Sequence, residues 1–164
     1  MIRYPKSVLY YWGGANKEKI KASIKKERLN NILVLDQVLR SEIPRFINAS
    51  DVCLVLLRRA EIFKSVIPSK MLEFMACSRP IILGVDGQAR KIIESAGAGI
   101  YIEPENAQDL ANAVIKLYNN PALCRIYGEN GRRYIIKNFT RKEKAKIYLN
   151  IINDLVPPSS PSTS

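Results

Sequence analysis

The feature that most constrains the fold of this chain is a regular alternation of short apolar runs with helical patterns. Apolar runs alternating with helical segments are typical of an α/β protein with a parallel sheet. Five runs are predicted to be strands, at 7–14, 31–36, 51–57, 80–85 and 98–103. The alternation therefore predicts a Rossmann-like, three-layer parallel sheet, which binds ligands beyond the carboxyl ends of its strands.

Helical patterns fill the intervals between these runs. They cover 16–29, 41–50, the middle of 65–82, 87–97, 106–120, 121–139 and 141–155. In 106–120, the spacing of Leu110, Ala113, Val114 and Leu117 predicts the core face of an amphipathic helix. Residues 157–164 are rich in proline and serine, and we expect them to be disordered.

Composition excludes several classes of site. The chain of 164 residues contains no histidine, so a His-dependent triad and a Cys/His metal site are both excluded within it. Cys53, Cys77 and Cys124 lie apart in apolar surroundings and are predicted to be buried free thiols. No apolar run approaches the ~20 residues of a membrane span, and no signal peptide is recognisable at the start. We therefore expect a cytoplasmic protein.

The formal net charge of +11 predicts affinity for phosphate groups of some kind, in nucleotides, anionic lipids or nucleic acid. A solvated lysine surface is the alternative for each basic segment. The loop 58–67 is longer than a usual βα connection and brings Arg58, Arg59 and Lys64 directly after a buried strand. These three cations are candidates to contact a phosphate or a sugar.

The segment 65–82 is predicted to contain a short helix with polar residues at its head. Pro68 suits the first helical position, which leaves the N–H groups of Ser69, Lys70 and Met71 available to an anion. Leu72, Met75 and Ala76 are predicted to form the core face. Lys70 and Glu73 lie one turn apart, and two interpretations stay open: a phosphate contact beside a carboxylate that binds sugar hydroxyls, or a local ion pair.

A longer segment carries a family resemblance. The stretch from "SVIPSKMLEFMACSRPII" through "VDGQA" (85–89) to "DLANAV" resembles the donor-binding, C-terminal domain of family 4, or group 1, GT-B glycosyltransferases. Pro68-Ser69-Lys70 matches the PSK motif of the bacterial polysaccharide branch. "GGANKEKIKASI" and "NNILVLDQVLRSEIPRFINASDVCLVLL" resemble upstream units of the family, so the resemblance covers residues 7 to 140 in family order.

The resemblance implies roles for particular residues. Glu73 matches the second glutamate of the family's E-x7-E motif, which holds the nucleotide ribose, whereas the first glutamate falls at Ser65. Ser69 and Lys70 match positions near the diphosphate, and Gln37 and Val38 match a turn whose backbone contacts the nucleobase. Gly14 belongs to the glycine turn after the first strand and is a further candidate phosphate contact. No residue is assigned a catalytic role, and Ser65 departs from the motif.

The resemblance also implies what the chain needs. We expect residues 1–156 to form a donor-binding domain that is incomplete at its N-terminal edge, with the N-terminal acceptor domain absent and supplied by a longer protein or a partner subunit. The expected ligand is a nucleotide-sugar, with UDP preferred to GDP, and neither a cofactor nor a metal is needed. The expected function is sugar transfer to a lipid-linked or glycan acceptor, with little activity from the chain alone.

Other interpretations remain. The chain could be a non-catalytic nucleotide-binding or subunit-interaction module, which the serine at 65 favours. A nucleic-acid binder is suggested by charge alone, without any RNA- or DNA-binding signature, and a GT-B epimerase would need acids and usually a histidine. An anionic membrane surface, where lipid-linked acceptors lie, is a further candidate partner and would place the protein peripherally on the inner face of the membrane.

Overall fold

The computed structural model describes residues 8–12 and 17–155. The chain divides into two compact units, Met1–Ile43 and Pro44–Ser164. The predicted tail 157–164 and the glycine turn with Gly14 lie outside the described residues. The expectation of one domain over 1–156 stays a prediction, and each unit is described below by itself.

Within its described residues, the first unit contains two parallel strands joined by one helix. Strand β1 (Leu9–Trp12) pairs with β2 (Ile32–Leu35), in the register Leu9 to Ile32 and Tyr11 to Val34. Helix α1 (Lys17–Lys26) connects them, as expected of a βαβ unit. Both predicted strands form, but each is shorter than the apolar run that predicted it.

The second unit contains the remaining elements. In chain order they are α2 (Ile43–Ala49, which begins at the last residue of the first unit), β3 (Cys53–Leu56), a 3-10 helix (Glu61–Ser65), α3 (Ser69–Ala76), β4 (Ile81–Gly84), α4 (Gln88–Ala96), β5 (Gly99–Tyr101), α5 (Ala107–Tyr118), α6 (Pro121–Asn138) and α7 (Arg141–Leu155). The strands form a parallel sheet in the order β3-β4-β5. The parallel α/β fold is therefore as predicted, and the five strands of the described residues form a two-stranded and a three-stranded sheet.

The core of the second unit is centred on β4. Ile81, Ile82 and Leu83 are completely buried, because helices cover both faces of this strand. Ile82 packs in a cluster with Ile102, Ala113 and Leu117, which brings α5 against one face. Since successive strand residues point to opposite faces, Ile81 and Leu83 face the other side. The hydrophobic run thus specifies a central strand in a three-layer unit.

Two predicted core assignments need correction. Val114 is 40% exposed and Leu110 is half-buried, so the core face of α5 is narrower than predicted and rests on Ala113 and Leu117. Among the cysteines, Cys53 is buried while Cys77 and Cys124 are half-buried, and all three are free as predicted. Burial raises the pKa of the Cys53 thiol to about 12, so this thiol stays protonated in the core.

Helix α6 approaches the rest of the unit closely through a glycine. A methyl group at Gly128 would lie 2.8 Å from the carbonyl carbon of Ser78 and closer still to its oxygen. Ser78 follows α3, and the Arg132 guanidinium on α6 donates a 2.8 Å hydrogen bond to the Ala76 carbonyl beside it. The glycine therefore permits contact between the backbones of α6 and the α3–β4 turn.

We expect Gly128→Ala to destabilise the protein by about 1–3 kcal/mol, because the methyl group forces the two backbones apart and outweighs the gain in helix propensity. Urea denaturation measures the change. Glu129→Ala, on the exposed face of the same helix, is the matched control and should change the free energy of unfolding by less than about 0.5 kcal/mol. Equal stability of the two variants would contradict the close approach.

Candidate functional site

A cavity whose lining is rich in charged residues lies at the carboxyl ends of the three strands of the second unit. It has a volume of about 200 Å³. Its lining comes from the segment after β3, from the end of β4 and from the end of β5: Arg58, Arg59, Ala60, Glu61, Phe63, Lys64, Val85, Asp86, Glu103 and Pro104. Parallel strands place their carboxyl ends at one edge, which explains why residues distant in sequence meet here. The predicted loop cations Arg58, Arg59 and Lys64 are all in this lining.

The segment after β3 is more ordered than a long loop. Residues 61–65 form a 3-10 helix, in which the Phe63 N–H donates to the Ala60 carbonyl and the Val66 N–H to the Phe63 carbonyl. The Ser65 hydroxyl donates to the Ile62 carbonyl at 3.1 Å. Ser65, which stands where the resemblance expects an acid, therefore has a local hydrogen bond and does not line the cavity.

Two of the three predicted cations are paired within the protein. The Arg59 guanidinium contacts Glu103 at 3.2 Å, and its backbone N–H donates to the Glu105 carboxylate at 3.3 Å. The Lys64 ammonium donates to the Glu61 carboxylate at 2.8 Å, and this hydrogen bond raises the pKa of the lysine. Arg58 has neither a hydrogen bond nor an ion pair to any residue in the described part of the chain.

A second group of side chains supports the cavity from the β4 and β5 sides. Arg90 contacts Asp86 at 3.6 Å and Glu94 at 2.8 Å, and its guanidinium carbon lies 3.9 Å from the centre of the Tyr101 ring. The Tyr101 hydroxyl donates to Glu103 at 3.0 Å. Partial burial, and then the nearby Glu103, raise the pKa of Tyr101. The group joins β4, α4 and β5 at the edge of the sheet.

None of these supporting residues was predicted as a site residue from the sequence. Arg59 and Glu103 are 44 positions apart, so spacing along the chain carries no signal for their contact. The signal that was available is position: Asp86 directly follows the predicted strand 80–85 and Glu103 ends the predicted strand 98–103, and the carboxyl ends of parallel strands meet at one edge. That criterion would have placed both carboxylates in the cavity.

Gly87 fixes the 3-10 helix against the end of β4. Its φ is +84°, and a methyl group there would lie 2.6 Å from the carbonyl carbon of Lys64. Only glycine combines this backbone conformation with so close a contact. The turn after β4 therefore determines where the cavity-lining 3-10 helix rests.

We expect Gly87→Ala to destabilise the protein by about 1–3 kcal/mol, since the new side chain is strained at positive φ and overlaps the Lys64 backbone. The destabilisation should be greatest in the 3-10 helix at 61–65. Hydrogen exchange of the Val66 amide should therefore accelerate more than hydrogen exchange within β4. Gln88→Ala, at the exposed start of α4, is the control. Unchanged exchange at Val66 would contradict the role of this glycine.

The head of α3 differs in detail from the prediction. Pro68 is the N-cap instead of the first helical residue, and the Met71 N–H donates to the Pro68 carbonyl at 3.0 Å. Within the described residues, the N–H groups of Ser69 and Lys70 therefore have no hydrogen-bond partner, whereas the N–H group of Met71 is bonded. The sequence predicted three available N–H groups, whereas the structure leaves two, those of Ser69 and Lys70.

Helix α3 buries one side and exposes the predicted site residues on another. Its buried residues are Met71, Phe74 and Met75, so the predicted core face (Leu72, Met75 and Ala76) was wrong except at Met75. Ser69, Lys70 and Glu73 are exposed. Neither the Lys70 nor the Glu73 side chain has a partner among the described residues, so the predicted alternative of a Lys70–Glu73 ion pair is not formed.

In the first unit, Gln37 and Val38 follow β2. Gln37 is exposed and Val38 is half-buried. Next to them, Asp36 pairs with Lys17 at the start of α1, and this hydrogen bond lowers the pKa of the carboxyl group. The turn after β2 is therefore tied to the start of the preceding crossover helix, α1, by an exposed ion pair.

Among residues 8–12 and 17–155, no three His, Cys, Asp or Glu side chains are grouped so that they could hold a metal ion. None of the helices in the same ranges has the length and apolar character that crossing a bilayer requires.

The fold resembles those of known enzymes. The C-terminal domain of a group 1 glycosyl transferase family protein (LpcC) from Francisella tularensis superposes with a TM-score of 0.69 at 20% identity, covering 85% of this chain and 73% of that one. Anabaena HepE in complex with UDP-glucose superposes with a TM-score of 0.73 at 20% identity, covering 92% of this chain and 41% of that one. The parallel α/β architecture is thus one half of a GT-B glycosyltransferase fold.

Sequence comparison gives the family. The family model described as glycosyl transferases group 1 matches residues 3–134, and the chain belongs to this family. The uncharacterized glycosyltransferase MJ1069 of Methanocaldococcus jannaschii is 31% identical over 88 residues. The match covers 54% of this chain and 22% of that protein, so the matched segment spans about a fifth of the length of this relative.

Proposed function

We propose that this chain is the donor-binding half of a glycosyltransferase that moves a sugar from a nucleotide-sugar, preferably a UDP-sugar, to a glycan or lipid-linked acceptor. Membership of the group 1 family supports glycosyl transfer. The bound UDP-glucose of HepE, a protein with the same fold, supports the choice of donor. Since the chain covers 41% of HepE, the acceptor side would come from another domain or a partner subunit.

The observation that carries the donor-binding role is the head of α3. Lys70 and Glu73 are exposed there, one turn apart, without protein partners, beside the unpaired N–H groups of Ser69 and Lys70. A helix N-terminus with a lysine favours a diphosphate, and a carboxylate favours the hydroxyl pair of a ribose. Gln37 and Val38 after β2 are the proposed contacts to the nucleobase.

In this proposal the developing charge on the leaving diphosphate is stabilised by Lys70 and by the helix N-terminus, without a metal ion. The arrangement orients the donor and withdraws charge from the breaking bond. The group that positions or activates the acceptor hydroxyl belongs to the acceptor side, so no catalytic base is assigned in this chain.

Peripheral attachment to an anionic membrane on the cytoplasmic side is part of the proposal. The net charge of +11 supports it. So does α7, where lysines 142, 144 and 146 precede exposed apolar residues from Ile147 to Leu155. Such a helix would bring the enzyme to lipid-linked acceptors.

Lys70 and Glu73 can be tested separately by calorimetry with UDP and with uridine. We expect Lys70→Met to weaken UDP binding about 10-fold or more, as expected for the loss of a charged hydrogen bond, and to leave uridine binding unchanged. Glu73→Gln should weaken the binding of both ligands, because both contain the ribose. Lys116→Met, at an exposed position of α5, is the matched control. Equal affinities of the unmodified chain for UDP and uridine would refute the phosphate contact.

The alternative is a non-catalytic nucleotide-binding or interaction module, and the observation in its favour is Ser65. This residue replaces the acid of the family motif, and its hydroxyl bonds the Ile62 carbonyl instead of facing the cavity. The two functions predict different results when the chain is combined with an acceptor-binding domain. A glycosyltransferase half should transfer sugar only after an acceptor-binding domain is added, whereas a non-catalytic module should bind UDP and never support transfer. Efficient transfer by the chain alone would contradict both.

A further inference from the structure

The cavity is lined by as many cations as carboxylates, but not every one of these cations is paired with a carboxylate of the protein. Three cations, Arg58, Arg59 and Lys64, face three carboxylates, Glu61, Asp86 and Glu103. Arg59 pairs with Glu103 and Lys64 with Glu61. Asp86 pairs with Arg90, which is outside the lining. Arg58 is therefore the lining cation that has no counterion within the described residues.

The two neighbouring arginines are also held differently. Arg59 is fixed at two points, by its side chain to Glu103 and by its N–H to Glu105, and both glutamates follow the end of β5. Arg58 follows directly from the β3 end, where the Leu57 N–H donates to the Gly84 carbonyl at 3.2 Å. The backbone of Arg58 is thus positioned from both sides, while its guanidinium is free to bind.

We propose that Arg58 is the residue of this cavity that binds an anionic oxygen group of the ligand, and that Arg59 is a positioning residue that holds the segment to β5. This proposal rests on the proposed donor-binding function. A guanidinium suits the role because it binds phosphate and carboxylate groups through two parallel hydrogen bonds. The neighbouring carboxylates are already paired, so they do not compete for it.

The anionic group has two chemical sources: a phosphate of the nucleotide, or a carboxylate on the transferred sugar. A phosphate is present in every nucleotide-sugar, whereas a carboxylate is present only when the donor is a uronic acid. Four probes separate the sources: inorganic pyrophosphate, UDP, UDP-glucose and UDP-glucuronic acid. Their affinities are measured by calorimetry on the full chain.

The test variant is Arg58→Gln, and Arg125→Gln on the exposed surface of α6 is its control, with the same change of net charge. Because the Arg58 side chain has no protein partner, Arg58→Gln should keep the urea midpoint of the unmodified chain. We expect it to weaken the binding of at least one of the four probes 10-fold or more, whereas Arg125→Gln should change the affinity for each probe less than 2-fold. Weakening of all four identifies a phosphate, and weakening of UDP-glucuronic acid alone identifies the sugar carboxylate.

Salt dependence separates direct contact from positioning. The slope of log affinity against log salt should become shallower in Arg58→Gln, which loses a contact with the anion, and stay unchanged in Arg59→Gln, which loses only an internal pair. Arg58→Lys should restore most of the slope. The same slope change in both variants would overturn the division of roles.

The outcomes also distinguish this proposal from the proposed function. If UDP binds tightly and Arg58→Gln leaves all four probes unchanged, the role of Arg58 is refuted while nucleotide binding stands. If pyrophosphate binds as tightly as UDP and is lost in Arg58→Gln, the anion contact stands and the nucleotide function fails. If neither pyrophosphate nor any UDP compound binds, both are refuted.

Discussion

The burial of β4 on both faces is the interaction on which the second unit depends. Ile81, Ile82 and Leu83 are fully buried, so this strand can only lie between β3 and β5 with helices above and below. Parallel pairing then brings the carboxyl ends of the three strands together, with Leu56 beside Gly84 and Leu83 beside Tyr101. Burial of an apolar run thereby assembles a polar edge from segments that are far apart in sequence.

Two features at that edge separate structural charge from charge that is available to a ligand. Backbone contact between Gly87 and Lys64 sets the 3-10 helix in place, and ion pairs with Glu103 and Glu61 neutralise Arg59 and Lys64. On α3, burial of Met71, Phe74 and Met75 anchors one side of the helix and exposes Lys70 and Glu73 on another. In both places, the residues that the protein itself does not use are those proposed to contact the donor.

Elements with a clear hydrophobic period were predictable from the sequence, and elements determined by distant contacts were not. The run 80–85 and the helix 141–155 appear nearly as predicted, because their pattern is local. The 3-10 helix at 61–65 has no such period and is held by the β4–α4 turn. The exposure of Val114 and the use of Phe74 in the core depend on which neighbours each helix meets.

The sequence by itself determined the parallel α/β class, the order of the elements, the family and the polar head of α3, since these follow from apolar periodicity and contiguous motifs. Only the tertiary structure decided which charges are paired. Arg58, Arg59 and Lys64 are equivalent cations in the sequence, and nothing in their spacing distinguishes them. Glu103 reaches Arg59 because β5 ends beside the segment that follows β3, and this contact leaves Arg58 as the cation without a partner among the described residues.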